Sequence, residues 1–309
     1  MTDIPEAMSE LKLSDGSVLK IEMEVLPKVN EFRRFWRVFF SRKVVLFAFI
    51  IVVIAIFVAI FAPYVAPYGS NEQNLLNVLK PPSWEHLLGT DSLGRDTLSR
   101  VIYGSRIALT VGVGTVLIAA TAGTIIGLIA GYFGGMTNTV IMRITDAIMS
   151  MPPVLLALVV AMVLGGGVRG VVISISISLL PGYIRLVRGQ VLTTKQNDYI
   201  MAAKSMGGKK VRIMLRHILP NCLSPLIVQM TMMMGLSILM EATLSFLGLG
   251  ISPPTAAWGS LCYDGYRYLS KMPILSLAPG IAIMLLVFSF NMCGDGLRDA
   301  IDPKLRGAV

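Results

Sequence analysis

The chain has 309 residues, of which 54% are hydrophobic and 15% charged, with a formal net charge of +9. A soluble globular domain carries about 25% charged residues, and the charges here are crowded into short stretches between long apolar ones. Lipid as solvent explains this pattern, because backbone polar groups there must be satisfied inside helices. The basic residues flank apolar spans, which is membrane topogenesis rather than a nucleic-acid footprint. Cys222, Cys262 and Cys293 lie far apart without CxxC spacing, and there are two histidines. Neither a zinc site nor a histidine-based catalytic site is indicated.

Residues 1–43 read as a polar cytoplasmic tail, too long and too acidic for a cleavable signal, ending in a basic collar of Arg33, Arg34, Arg37, Arg42 and Lys43 around Trp36. Residues 44–62 form a first span, long enough to cross about 30 Å of hydrocarbon and stopped by Pro63 and Pro67. Residues 63–106 form a polar loop with short helices. A core of five further spans occupies 107–294. Its first span, 107–130, is rich in Gly, Ala and Thr, which lets helices approach closely. The next, 140–164, is interrupted by Pro152 and Pro153, and a fourth span covers 171–187. Residues 188–221 make a basic polar insert. Spans follow at 222–247 and 273–292, separated by a loop carrying Pro253, Pro254 and Trp258, and 295–309 is a charged tail.

The fold class expected is therefore all-α, with six transmembrane helices and both termini on one side. Lys28, Arg33, Arg34, Arg37, Arg42 and Lys43 face a single acid, Glu31, before the first span. In the insert Arg188, Lys195, Lys204, Lys209, Lys210, Arg212 and Arg216 face Asp198 alone. The positive-inside rule then makes the termini and the insert cytoplasmic.

Within the insert, "NDYIMAAKSMGGKKVRIMLRHILPN" (197–221) predicts a short helix from Tyr199 to Met206, a stop at Gly207 and Gly208, and a second helix from Lys210 to His217 ended by Pro220. A helix held out from the membrane in this way suits a grip by a partner; a merely topogenic loop is the plainer alternative. The segment resembles the EAA loop of bacterial ABC-importer permeases at Ala202, Ala203, Gly207, Leu219 and Pro220, with Met201 where that loop has its acidic residue. Three flanking blocks, "HLLGTDSLGRDTLSRVIYGSR" (86–106), "EATLSFLGLGISPPTAAWG" (241–259) and "GDGLRDAIDPKLR" (294–306), are similar to the second, C-type permease of the dipeptide/oligopeptide/nickel family.

The resemblance implies a type I importer fold in the bacterial cytoplasmic membrane and a place in an assembly. A homologous permease subunit would complete a heterodimer, two ABC ATPase subunits would carry ATP and magnesium, and an external substrate-binding protein would deliver peptide or, alternatively, nickel. The chain itself would bind no cofactor and catalyse nothing. Tyr199, Ala202, Ala203, Lys204, Ser205, Met206 and Gly207 would form the ATPase-coupling helix. A stand-alone secondary transporter is the rival reading; it predicts helices broken at mid-membrane, which only Pro152–Pro153 resembles.

Three further groups stand out. Asp91/Arg95 and Asp96/Arg100, at spacing four, predict ion pairs on a helix surface that order the outer loop or touch a partner. Met230, Met233 and Met234 predict adaptable apolar packing at a gate, with soft-metal passage as the alternative. Glu241 is a further pathway or gate candidate, for which capping or pairing within the bundle is expected over a proton or substrate role.

Overall fold

The computed structural model describes residues 8–12, 18–22 and 31–301. Most of the N-terminal tail and the final block 302–309 lie outside the described residues. Within the tail, β1 (Met8–Lys12) and β2 (Val18–Glu22) pair antiparallel, with Met8 opposite Glu22. That hairpin is absent from the all-α expectation and stands apart from a membrane domain built wholly of helices.

Helices α1 (Glu31–Phe39) and α2 (Lys43–Ile60) meet at Arg42, whose guanidinium pairs with Asp299 at 3.0 Å. Phe47, Ile54 and Phe57 leave α2 apolar on its outer surface, as suits a helix in lipid. After α3 (Ala62–Val65) and a 3-10 turn at Leu75–Asn77, the chain winds through a loop held by local hydrogen bonds. Helix α4 (Thr97–Phe133) then runs for 37 residues, about 55 Å at 1.5 Å per residue. Its first ten residues were expected to belong to the loop. They are helical because the Asp96 carboxylate caps them, accepting from the Ser99 N–H at 2.8 Å.

Gly134 and Gly135, both at positive φ, turn the chain into α5 (Gly135–Met149). Helix α6 (Pro153–Leu164) leaves α5 at 90°. The interruption expected at Pro152–Pro153 within 140–164 is thus a right-angled break between two helices. Pro152 is extended at ψ 133° and Pro153 opens the new helix, because neither proline supplies the N–H that would continue the old one. The described residues hold five helices long and apolar enough to cross a membrane, and the bent pair is the sixth candidate.

Helix α7 (Gly167–Thr194) lies along α4, and the contact is close because α4 presents Gly123, Gly127 and Gly131 to it. Helix α8 (Asp198–Ser205) follows, then α9 (Lys210–Ile213), a π turn at Met214–Ile218 and α10 (Leu219–Phe246). The stop expected at Pro220 does not occur. Pro220 falls in the first turn of α10, where a missing N–H is tolerated, and the rod is continuous from Lys210 to Phe246. The loop expected after it contains a further helix, α11 (Trp258–Tyr266), before α12 (Ile274–Ile301).

The largest apolar core joins α4, α6, α7 and α10 through Val116, Ala161, Ile175 and Leu244. A second joins α4, α10, α11 and α12 around Trp258, Ile238 and Phe290. Helix α2 sits against α12 through Val45, Ala48 and Cys293, outside the main core.

Candidate functional site

Helix α8 stands at the end of the bundle where α4 and α7 finish. Asp198 lies in its first turn and Lys204 in its last, each favourable to the helix dipole. Ile200 is fully buried and Ala203, three residues on, packs against the main core. One face of the short helix is therefore clamped to the bundle. Lys195 fixes the clamp, its Nζ donating to the Tyr132 carbonyl at 2.8 Å. The ammonium groups of Lys195 and Lys204 both lie over the Tyr132 ring, at 5.7 and 5.8 Å from its centroid, and Lys210 lies 5.7 Å from that of Phe133. Each such contact contributes about 0.5–1 kcal/mol at an exposed site. The opposite face of α8 is free: Tyr199, Met201, Ala202, Ser205 and Met206 are exposed, Met206 to 82%.

Gly207 ends the helix at φ +74°, and the Gly208 N–H reaches back to the Ala203 carbonyl at 3.0 Å. A Cβ at Gly208 would lie 2.7 Å from that oxygen. The two glycines thus supply a left-handed residue and a close backbone approach. On the far side of the turn, Asn221 Nδ2 donates to the Tyr199 hydroxyl at 3.2 Å and to the His217 carbonyl at 2.6 Å. The start of α10 is thereby tied to α8. A helical step of about 100° puts Ala202 outward and Ala203 against the core.

At the other end of the bundle, Asp91, Arg95, Asp96 and Arg100 are brought together, but not as surface ion pairs. Residues 91–95 form a turn: Asp91 accepts from the N–H groups of Leu93 (2.9 Å) and Arg95 (3.0 Å) and from Arg95 Nε at 2.6 Å. Asp96 does not pair with the Arg100 side chain. It caps α4 and faces His86 Nδ1 at 3.0 Å. Arg100 instead lies 3.7 Å from Asp91 and donates to the Ser70 carbonyl at 3.2 Å. Arg95, Asp96 and Arg100 are 3%, 3% and 1% exposed. Of the two roles expected of these residues, the geometry serves the ordering of the outer loop, which they brace from inside. Asp264 of α11 borders the same small cavity as Arg100; burial pushes its carboxyl upward, against the pull of Arg100 and Arg95. Sequence reading missed Asp264, since its helix lay in an expected loop. Trp258 Nε1 donates to the Val101 carbonyl at 2.8 Å, with the indole packed directly on Gly104.

The gate candidates are not one constellation. Met230, Met233 and Met234 are half-buried against the main core, while Glu241 lies two turns further along α10. Glu241 is 1% exposed and accepts from the Ser245 hydroxyl at 2.8 Å; Ser245 in turn accepts from the Ile251 N–H at 2.9 Å. The carboxylate thus secures the turn that leaves α10. Among the described residues no group of three or more His, Cys, Asp or Glu is placed to hold a metal ion. Asp146 pairs with Arg185 at 2.5 Å, both about half exposed.

The family profile described as the inner membrane component of binding-protein-dependent transport systems matches residues 123–307. A second, the N-terminal transmembrane domain of oligopeptide transport permease C, matches residues 30–82. The glutathione transport system permease protein GsiD of Pectobacterium atrosepticum is 42% identical over 93% of this chain and 98% of that protein. The dipeptide transport system permease protein DppC of Haemophilus influenzae is 41% identical over 89% and 95%. The di/tripeptide transport system permease protein DppC of Pseudomonas aeruginosa is 42% identical over 90% and 93%. Among solved structures, the inward-facing MetNI methionine ABC transporter aligns with a TM-score of 0.52 at 17% identity, covering 66% of this chain and 97% of that one. It shares the fold alone. The chain belongs to the binding-protein-dependent transport system inner membrane components, as a C-type permease of the ABC importers.

Proposed function

We propose that this chain is the second permease subunit of a short-peptide importer in a bacterial cytoplasmic membrane. Paired with a homologous permease, it forms half of a pathway that opens alternately to either side. ATP and magnesium are bound by two ATPase subunits, and an external binding protein delivers the peptide. The substrate reading is supported by relatives named for dipeptides, di/tripeptides and glutathione, all short peptides bearing carboxylates. The charge asymmetry of the loops supports cytoplasmic termini and a cytoplasmic α8.

The observation that carries the mechanism is the two-faced α8, clamped inward through Ile200 and Ala203 and open outward at Tyr199, Ala202 and Met206. An ATPase that grips the open face moves the clamp, and through it the ends of α4 and α10. Ala202→Glu tests this in complexes co-expressed with all partners. A carboxylate buried in the grip without a partner costs several kcal/mol, while the side chain touches nothing in the bundle. The variant is expected to insert and pair with its partner permease but to lose the ATPase subunits on purification. Full ATPase content, with normal stimulation by loaded binding protein, would leave α8 a topogenic loop.

A further inference from the structure

A cavity of about 890 Å³ opens at the α8 end of the bundle, between α1, α7, α10 and α12. Its polar wall is Arg34, Gln190, Asn221, Ser224, Gln229 and Arg298, and no Asp or Glu lines it among the described residues. Arg34 and Arg298 pair with no acid among the described side chains; the nearby Asp299 is taken by Arg42. Two guanidinium groups with amide donors beside them match a carboxylate, which arginine binds through two parallel hydrogen bonds. The volume lies within the roughly 300–1,000 Å³ of small-molecule sites. One wall residue is also wired to the coupling helix, since the Asn221 amide that faces the cavity is the donor to Tyr199.

We propose that this cavity is a transit site for the carboxylate end of a short peptide, held by Arg34 and Arg298, and that Asn221 reports its occupancy to α8. The inference rests on the importer reading above. A peptide that engages the Asn221 amide competes with the Tyr199 hydroxyl for the same donor, which loosens α8 from α10. Occupancy on the cytoplasmic side thereby changes the ATP hydrolysis driven through α8.

The test uses the whole complex in vesicles of defined lipid, without binding protein, with trialanine or its C-terminal amide supplied on the ATPase side. Trialanine is expected to change the rate of ATP hydrolysis, and the amide to act at least tenfold more weakly. Arg34→Gln with Arg298→Gln should raise the half-effective trialanine concentration at least tenfold, with Lys at both positions restoring part of the response. Thermal unfolding of each variant complex guards against misfolding. An unchanged response in the Gln variant, or equal responses to acid and amide, overturns the proposal. So does a basal rate that ignores peptide but falls when phosphatidylglycerol is replaced by phosphatidylcholine, which would assign the cavity to an anionic lipid headgroup. A separate arm adds peptide-loaded binding protein outside. Failure of that arm alone counts against the importer reading, whereas failure of the inner arm alone counts against this site.

Discussion

Gly123→Ala places a methyl group where α4 and α7 already touch. A Cβ there would lie 2.4 Å from Tyr183 Cβ, and the neighbouring glycines are only a little less tight, with Gly131 at 2.7 Å from Val191 Cβ and Gly127 at 2.9 Å from the Ile184 carbonyl. Carbon atoms settle about 3.5–4.0 Å apart, so the helices must separate by roughly 1 Å. Tyr183 Cβ is fixed to the α7 backbone and cannot rotate away. Overpacking of this kind costs about 1–3 kcal/mol, and the upper end applies because the obstacle is rigid. Replacing a helical glycine returns about 1 kcal/mol of propensity, leaving a net loss of about 2 kcal/mol. For a chain of this size that shifts Tm by about 3 °C. The control is Gly189→Ala on α7, where nothing lies within 4 Å of the new carbon, so only the propensity gain remains. Thermal stability of the detergent-purified complex, followed by fluorescence-detected size exclusion, should separate the two variants in opposite directions. Equal stability of parent and Gly123→Ala, or equal damage from Gly189→Ala, would refute close packing as the reason for the glycine row.

Two further outcomes follow. A cysteine at exposed Gln73 should react with an impermeant thiol reagent from outside the cell, and one at exposed Lys209 only after permeabilisation; the reverse pattern would invert the orientation. The Asp264 carboxyl is raised by burial, so the folded chain holds its proton more tightly than the unfolded one. Its contribution to stability therefore falls as pH rises from the ordinary aspartate range, about 3.9, through its raised folded value. Asp264→Asn should gain in Tm relative to the parent as pH climbs through that window, and a difference independent of pH would contradict the burial.

The spans and α8 were legible because composition and local chemistry dictate them. Apolar length marks α2, α7 and α10, and Gly207 marks the end of α8 through a backbone conformation that other residues avoid. Pro152–Pro153 announced an interruption, but the 90° angle depends on how α6 packs through Ala157 and Ala161, which no local signal carries. Pro220 misled for a related reason: proline breaks a helix from inside but is tolerated in its first turn, and only the path of the chain distinguishes the two. The acid–base spacing at 91–100 was read as helical, whereas the glycine at 94, at φ +69°, closes a turn there. The burial of Arg100 rests on α11, which comes from the other end of the sequence. The division of labour between Ala202 and Ala203 likewise follows from where α4 ends.

The π turn at Met214–Ile218 sits near one end of an otherwise α-helical rod that continues to Phe246. A π turn accommodates a surplus residue within the helical winding. If that surplus were drawn out into the Gly207–Gly208 turn, α9 would advance by about 1.5 Å and rotate by about 100° relative to α10. Such a screw motion would present a different stripe of α9, while α10 keeps its place in both apolar cores through Ile238 and Leu244. The end of the rod beside α8 could then change what it shows in response to a pull, with neither a hinge nor a bend in α10.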